Sequence, residues 1–263
     1  MPASGKPPIA FITGASSGIG QALAWRYYRA GYAVALVARR AADIEVWATA
    51  QEMEPQRLRV YAADVSVTDS IVAAGQQCIA QLGVPDVVIA NAGISVGMDT
   101  ADRADLDVMA QLYATNNLGM AATFHPFVSA MAARGHGTLV GIGSVAGIRG
   151  LPGHAAYCSS KAAVITYCES LRGEMRDTGV RVLTICPGYI DTPLTQRNRY
   201  AMPFLMSAGE FADKAFAAIQ AGRRYVVIPW QMGGVALLLR ALPNALFDRL
   251  LAGRPRKKRA QEM

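Results

Sequence analysis

The chain has 263 residues, 52% hydrophobic and 17% charged. That composition excludes intrinsic disorder and supplies the apolar surface of one large core, and no repeat or low-complexity linker divides it. The formal charge of +7 is weighted to the end of the chain, where Arg254, Arg256, Lys257, Lys258 and Arg259 cluster. Such a cluster suits an acidic lipid or a solvated tail, but without an aromatic platform or recognition motif it does not indicate a nucleic-acid partner.

Along the chain, residues 8–13 form an apolar run ending in Gly14-Ala-Ser-Ser-Gly18-Ile-Gly20, and helical character follows up to Gly31. The alternation then repeats: an apolar run at 32–38, a helix near 43–53, a run at 58–64, a helix over 68–82, and a run at 86–93. A long helix is expected around 106–133, then a strand at 137–144, a helix from 156 to about 176, and a strand at 180–186. A helix over 210–221 and a last strand at 224–229 close the series. Runs that are apolar throughout indicate strands buried on both faces, and the intervening helices are the crossovers that parallel strands need. The fold class is therefore α/β, a doubly wound parallel sheet of Rossmann-like form, whose ligands bind at the carboxyl ends of the strands.

This reading divides the chain into a Rossmann-like domain over 1–230, an apolar helical extension over 231–253 packed on it, and a basic tail over 254–263. Arg240, Pro243, Asp248 and Arg249 interrupt the extension, which makes it a poor membrane span. Two readings stay open for it: peripheral attachment to an anionic membrane, or an apolar subunit interface. The four cysteines, Cys78, Cys158, Cys168 and Cys186, and the three histidines, His125, His136 and His154, have no metal-ligand spacing, so no metal is expected. The start of the chain enters a strand at once and leaves no room for a signal peptide, so a cytoplasmic protein with reduced thiols is expected.

Three groups of residues carry chemistry. Gly14, Ser16, Ser17, Gly18, Ile19 and Gly20 join a buried strand to a helix, where glycine lets the backbone approach a ligand and free helix N–H groups receive a diphosphate. Tight turns use glycine for conformational reasons too, so alone this turn is a weak signal; it lacks the Lys-Ser/Thr of a P-loop. Arg39 and Arg40 follow the second strand, where an arginine can pair with a 2′-phosphate and an acidic residue would instead grip a 2′-hydroxyl. That favours NADP(H) over NAD(H), the plainer reading being two surface arginines at a helix start. Tyr157 and Lys161 stand four apart in a helix, so the ammonium can lie near the phenol and lower its pKa from about 10 toward the working range of proton transfer. Taken alone, such a pair is also common on exposed helix faces.

The order and spacing of TGASSGIG, Asn91-Ala-Gly93, Ser144 ahead of Tyr157-Cys-Ser-Ser-Lys161, and Pro187-Gly188-Tyr-Ile-Asp-Thr192-Pro193 resemble the short-chain dehydrogenase/reductases of the single-domain branch, over roughly residues 8–195. The resemblance implies that Tyr157 protonates the carbonyl oxygen and that Ser144 hydrogen-bonds the same oxygen. It gives Lys161 two tasks: lowering the tyrosine pKa and holding the nicotinamide ribose. Asn116, in the form Asn-x-x-Gly119, matches the fourth catalytic residue, which keeps a water in the proton relay; its neighbour Asn117 is rejected. Asp64 and Val65 match the adenine contact, Asn91 and Gly93 line the cofactor cleft, and Ile190 and Thr192, after Pro187 and Gly188, fix the carboxamide. The segment near 193–210, with Arg197, Asn198, Arg199, Tyr200, Met202, Phe204 and Met206, matches a substrate lid; its methionines suit an apolar, lipid-like substrate or fill core gaps. A homodimer or homotetramer reducing a small carbonyl compound, or oxidising the alcohol, is implied. The alternative is a non-catalytic NADP(H)-binding or redox-sensing protein on the same fold. Ala90 departs from the family where many members have asparagine, and Ser17 stands where some NADPH users place a basic residue.

Overall fold

The computed structural model describes residues 6–196, 198, 201–253, 257–259 and 261. Seven parallel strands form the main sheet: β1 (Ile9–Thr13), β2 (Ala33–Ala38), β3 (Leu58–Ala62), β4 (Val87–Ala90), β5 (Gly137–Ile142), β6 (Val180–Pro187) and β9 (Tyr225–Ile228), in the order β3-β2-β1-β4-β5-β6-β9. A two-strand pair, β7 (Ile190–Asp191) with β8 (Met206–Ser207), stands beside it. The winding reverses between β1 and β4, which opens a crevice at their carboxyl ends.

The apolar runs act as expected of strands covered on both faces. In β1 and β2, Ala10, Ile12, Val34, Leu36 and Ala38 pack into one core layer, while Phe11, Ala35 and Val37 pack into the other. The first layer receives α1 (Gly18–Arg29), α2 (Ala41–Ala50) and α7 (Ala208–Gln220) through Leu23, Tyr27, Ile44, Phe211 and Ile219. The second receives α3 (Thr68–Leu82), α5 (Gly119–Arg134) and α6 (Ala155–Glu174) through Ile71, Phe124, Phe127, Met131 and Val164. All four cysteines are free and buried.

Two elements differ from the sequence expectation. The run at 86–93 is strand only to Ala90, because Thr13 captures the chain beyond it: the N–H groups of Asn91 and Ala92 both donate to Thr13 Oγ1 at 3.1 Å. The long helix expected around 106–133 is instead α4 (Ala104–Tyr113), a π-helical turn at Ala114–Leu118, then α5. The interruption falls on Asn116 and Asn117, whose side chains bond to neighbouring elements.

After β9 come α8 (Trp230–Ala241) and α9 (Asn244–Leu251). Arg149 ties them to the loop after β5 by donating to the carbonyl oxygens of Leu239, Arg240 (3.0 Å) and Leu242 (2.8 Å), with its guanidinium over the Phe247 ring. Among the described residues, no helix is long and apolar enough to cross a membrane.

Candidate active site

The carboxyl ends of β1, β2, β4, β5 and β6 open into one cleft of about 830 Å³, at the large end of small-molecule and cofactor sites. Its floor is the turn between β1 and α1. Gly14 (φ +68°) and Gly18 (φ +57°) take left-handed backbone conformations that favour glycine, and a Cβ on Gly20 would stand 2.1 Å from the Gly14 carbonyl oxygen. Ser17 precedes α1 in an extended conformation without capping it, so the first helical N–H groups receive no side-chain cap. Asn91 braces the turn through Nδ2, which donates to the Thr13 carbonyl at 2.9 Å.

Arg39 and Arg40 reach the cleft from the end of β2. Arg40 donates to Asp43 at 2.5 Å and to Ser16 Oγ at 3.4 Å, while the exposed Arg39 guanidinium lies 3.8 Å from Asp64. Burial works against the Asp64 charge, but two hydrogen bonds from Ser66 and the nearby Arg39 hold its carboxyl below the usual range. A strongly basic end of the cleft thus faces a turn of unused amide donors.

At the opposite end stand Ser144, Tyr157 and Lys161. Ser144 sits at the end of β5, its Oγ accepting the Ala146 N–H at 3.1 Å. Lys161 is buried, and its ammonium donates to the Ile142 carbonyl at 2.8 Å, 6.0 Å from the centre of the Tyr157 ring. The expected lowering of the tyrosine pKa is not found here. Burial pushes Tyr157 up to about 12, with a hydrogen bond from Ser144 opposing it. Burial sets the direction, and the Lys161 ammonium, which donates to the Ile142 carbonyl, does not reverse it. The phenol is thereby kept protonated, as a proton donor must be. Burial likewise pushes Lys161 down to about 8.

Ser16, Ser17, Gly18, Ile19, Val65, Gly93, Pro187, Gly188, Ile190 and Thr192 also line the cleft. Gly20 and Asn116 do not. Gly20 serves by letting α1 approach the turn, and Asn116 lies behind Gly93, where a Cβ would meet Asn116 Oδ1 at 3.1 Å and Lys161 Nζ at 3.4 Å. Asn116 Nδ2 donates to the Ile94 carbonyl and Ser160 Oγ, and its Oδ1 accepts the Ile94 N–H at 2.9 Å. Asn117 binds the Ser160 carbonyl instead. Of the lid segment, Pro193, Leu194 and Thr195 reach the cleft. Met206 is packed in the core, Phe204 is exposed, and Arg197, Arg199 and Tyr200 lie outside the described residues. His154 is buried, its Nδ1 bonded to the Pro152 carbonyl.

Sequence reasoning missed Thr115 and Gln111, brought to the cleft by the π-helical turn and α4, and it missed the hydrogen bond of Lys257 to Ser95. No motif marks either.

The family model for short chain dehydrogenase matches residues 8–202. The chain belongs to the short-chain dehydrogenase/reductase family. An uncharacterized oxidoreductase of Myxococcus xanthus is 38% identical over 244 residues, covering 91% of this chain and 94% of that protein. A short chain dehydrogenase of Burkholderia cenocepacia, solved with NADP, superposes with a TM-score of 0.79 at 23% identity, over 95% of this chain and 99% of that one. A 3-ketoacyl-(acyl-carrier-protein) reductase of Brucella melitensis, solved with NADH, gives 0.75 at 25% identity, over 86% and 98%. An oxidoreductase using a nicotinamide cofactor follows from the family; the two solved relatives differ in which one they hold.

Proposed function

We propose that this short-chain dehydrogenase/reductase is an NADPH-dependent reductase of a ketone or aldehyde, able to oxidise the corresponding alcohol in reverse. The observation that carries this reading is a single cleft with two arginines at one end and Ser144, Tyr157 and Lys161 at the other. The residues fit the cofactor. The glycine turn and the uncapped start of α1 suit its diphosphate, Arg39 and Arg40 its 2′-phosphate, and Asp64 and Val65 its adenine. Asn91, Gly93, Pro187, Gly188, Ile190 and Thr192 line the part of the cleft nearer Tyr157 and would hold the nicotinamide half.

When bound, NADPH supplies the hydride. Ser144 Oγ holds and polarises the carbonyl oxygen. Tyr157, protonated in its buried setting, gives that oxygen its proton, and the Lys161 ammonium stabilises the phenolate left behind. Asn116 Oδ1 accepts one N–H, from Ile94, so its other lone pair remains for a water of the proton relay. Ile94, Pro193 and Leu194, which line the cleft with Tyr157, favour an apolar substrate body. The exposed Trp230, Leu237, Leu238, Leu246 and Leu250 of α8 and α9 support an extension that joins subunits of a homodimer or homotetramer, an anionic membrane surface being the other partner such a face suits.

The pH dependence of NADPH oxidation by purified protein with a panel of ketones tests this reading. The ammonium of Lys161 is present below about pH 8 and is lost as pH rises through that value. The expected kcat/KM for reduction is level below it and falls above it by about tenfold per unit, as for loss of a single required proton. Lys161→Arg, which stays charged, moves this limb to higher pH. A profile with no limb above pH 8, or an unchanged limb in Lys161→Arg, would remove Lys161 from the mechanism.

A further inference from the structure

Residues 257–259 of the basic tail pack against the segment after β4. Arg259 Nε donates to Asp105 Oδ2 at 2.7 Å, and its guanidinium also pairs with Asp102. The Asp105 side chain is only 1% exposed, and it also accepts the Asp99 N–H at 2.7 Å. A buried carboxylate needs such partners, so the receiving site is built for an arginine. The Gly97 N–H donates to the Lys258 carbonyl at 2.9 Å, and a Cβ on Gly97 would stand 2.2 Å from the Lys257 carbonyl oxygen. Only glycine admits the tail at this point.

These anchors set Lys257 beside the catalytic tyrosine. Its Nζ lies 5.9 Å from the centre of the Tyr157 ring, about as far as Lys161 Nζ on its own side, and donates to Ser95 Oγ at 2.8 Å. Ser95 is buried and follows the Asn91-Ala-Gly93 turn by two residues. Among the described residues no carboxylate pairs with Lys257. Burial accordingly pushes its pKa down to about 8. An ammonium beside the Tyr157 ring with no carboxylate partner among the described residues gains from an anion, and a lone point charge beside one hydroxyl matches a carboxylate better than a phosphate, which needs more donors.

We propose that Lys257, held by the Arg259 clamp, is a substrate-specificity residue that binds a carboxylate carried by the carbonyl substrate, a few bonds from the carbon that is reduced. Ser95, already accepting from Lys257, turns its own proton to the same carboxylate. The substrate is then an oxo acid whose apolar portion packs against Ile94 and Leu194 in the cleft. This inference rests on the carbonyl-reductase reading.

The test compares oxohexanoates, with the ketone at each position along the chain, against their methyl esters. It uses wild type, Lys257→Met, Lys257→Arg and a chain ending at Gly253, with NADPH affinity as the check on folding. Wild type should prefer at least one acid over its ester. The acid-to-ester ratio of kcat/KM should fall by about tenfold or more in Lys257→Met, the scale of one charged hydrogen bond, and recover in Lys257→Arg. Calorimetry of hexanoate against methyl hexanoate on the NADP⁺-loaded protein should show the same Lys257-dependent preference without turnover. Equal use of acid and ester by wild type, or a preference that survives in Lys257→Met, overturns the proposal. So does a truncated chain that is faster with both, because the tail is then a plug. Reduction of ketones without acid preference sinks the anion site alone. Lys257-dependent hexanoate binding without any ketone reduction sinks the reductase reading and leaves the anion site standing.

Discussion

Tyr157→Phe is expected to lower kcat for carbonyl reduction by roughly 10²–10⁴-fold, the usual contribution of a positioned general acid, while NADPH binding stays near its wild-type value. The two effects separate because the residue's parts do different work. The ring packs beside Met98, Leu112 and Ala156, and phenylalanine keeps that contact. Only the hydroxyl is lost, and its protonated form, which burial favours, is the one that donates to a developing alkoxide. Single-turnover kinetics with saturating NADPH reads the chemical step directly. A Tyr157→Phe variant that reduces ketones at the wild-type rate would mean that the proton comes from elsewhere. One that also loses NADPH would mean that the residue acts mainly on the architecture of the cleft.

The second large effect concerns the cofactor. Replacing Arg39 by serine and Arg40 by alanine should cut kcat/KM for NADPH by about 10–100-fold, since hydrogen bonds to charged groups contribute about 1.5–3 kcal/mol and each 1.4 kcal/mol is a factor of ten. Little should change with NADH, which offers no 2′-phosphate. The geometry favours a split role: Arg40 is already fixed by Asp43 and Ser16, whereas Arg39 is exposed and only loosely paired with Asp64. Arg39 is therefore free to swing onto the phosphate and Arg40 needs little movement. Initial rates with both cofactors decide it. Equal losses with NADPH and NADH would place the arginines on the shared part of the dinucleotide, and no loss with either would leave them as surface charges.

The sheet and the succession of its strands along the chain were legible because their signals are local. Uniformly apolar runs such as Ala33–Ala38 can only be covered on both faces, and the glycines of the first turn sit where a Cβ would collide with backbone. Arg39 and Arg40 follow from the place where β2 must end. What escaped the sequence depends on partners distant in the chain. The π-helical turn at Ala114–Leu118 interrupts a stretch that reads as one helix, and it forms where Asn116 bonds to Ile94 and Ser160, which precede and follow it by many residues. Spacing brings an ammonium near Tyr157 but does not report the burial that holds the phenol's pKa up. The tail presented itself as a run of charge. The docking of Arg259 depends on a carboxylate pair from the loop after β4 (Asp102) and the first turn of α4 (Asp105), and Arg254 and Arg256 lie outside the described residues.

The most direct test of the central claim is isotope transfer. Purified protein is supplied with NADPH deuterated at the transferable nicotinamide position and with a ketone panel that includes the oxo acids, and the alcohol products are analysed by mass spectrometry. The account predicts deuterium on the former carbonyl carbon, with transfer much weaker from deuterated NADH and abolished in Tyr157→Phe. Tight NADPH binding with no deuterium in any product would contradict it and favour a protein that binds the dinucleotide without using it.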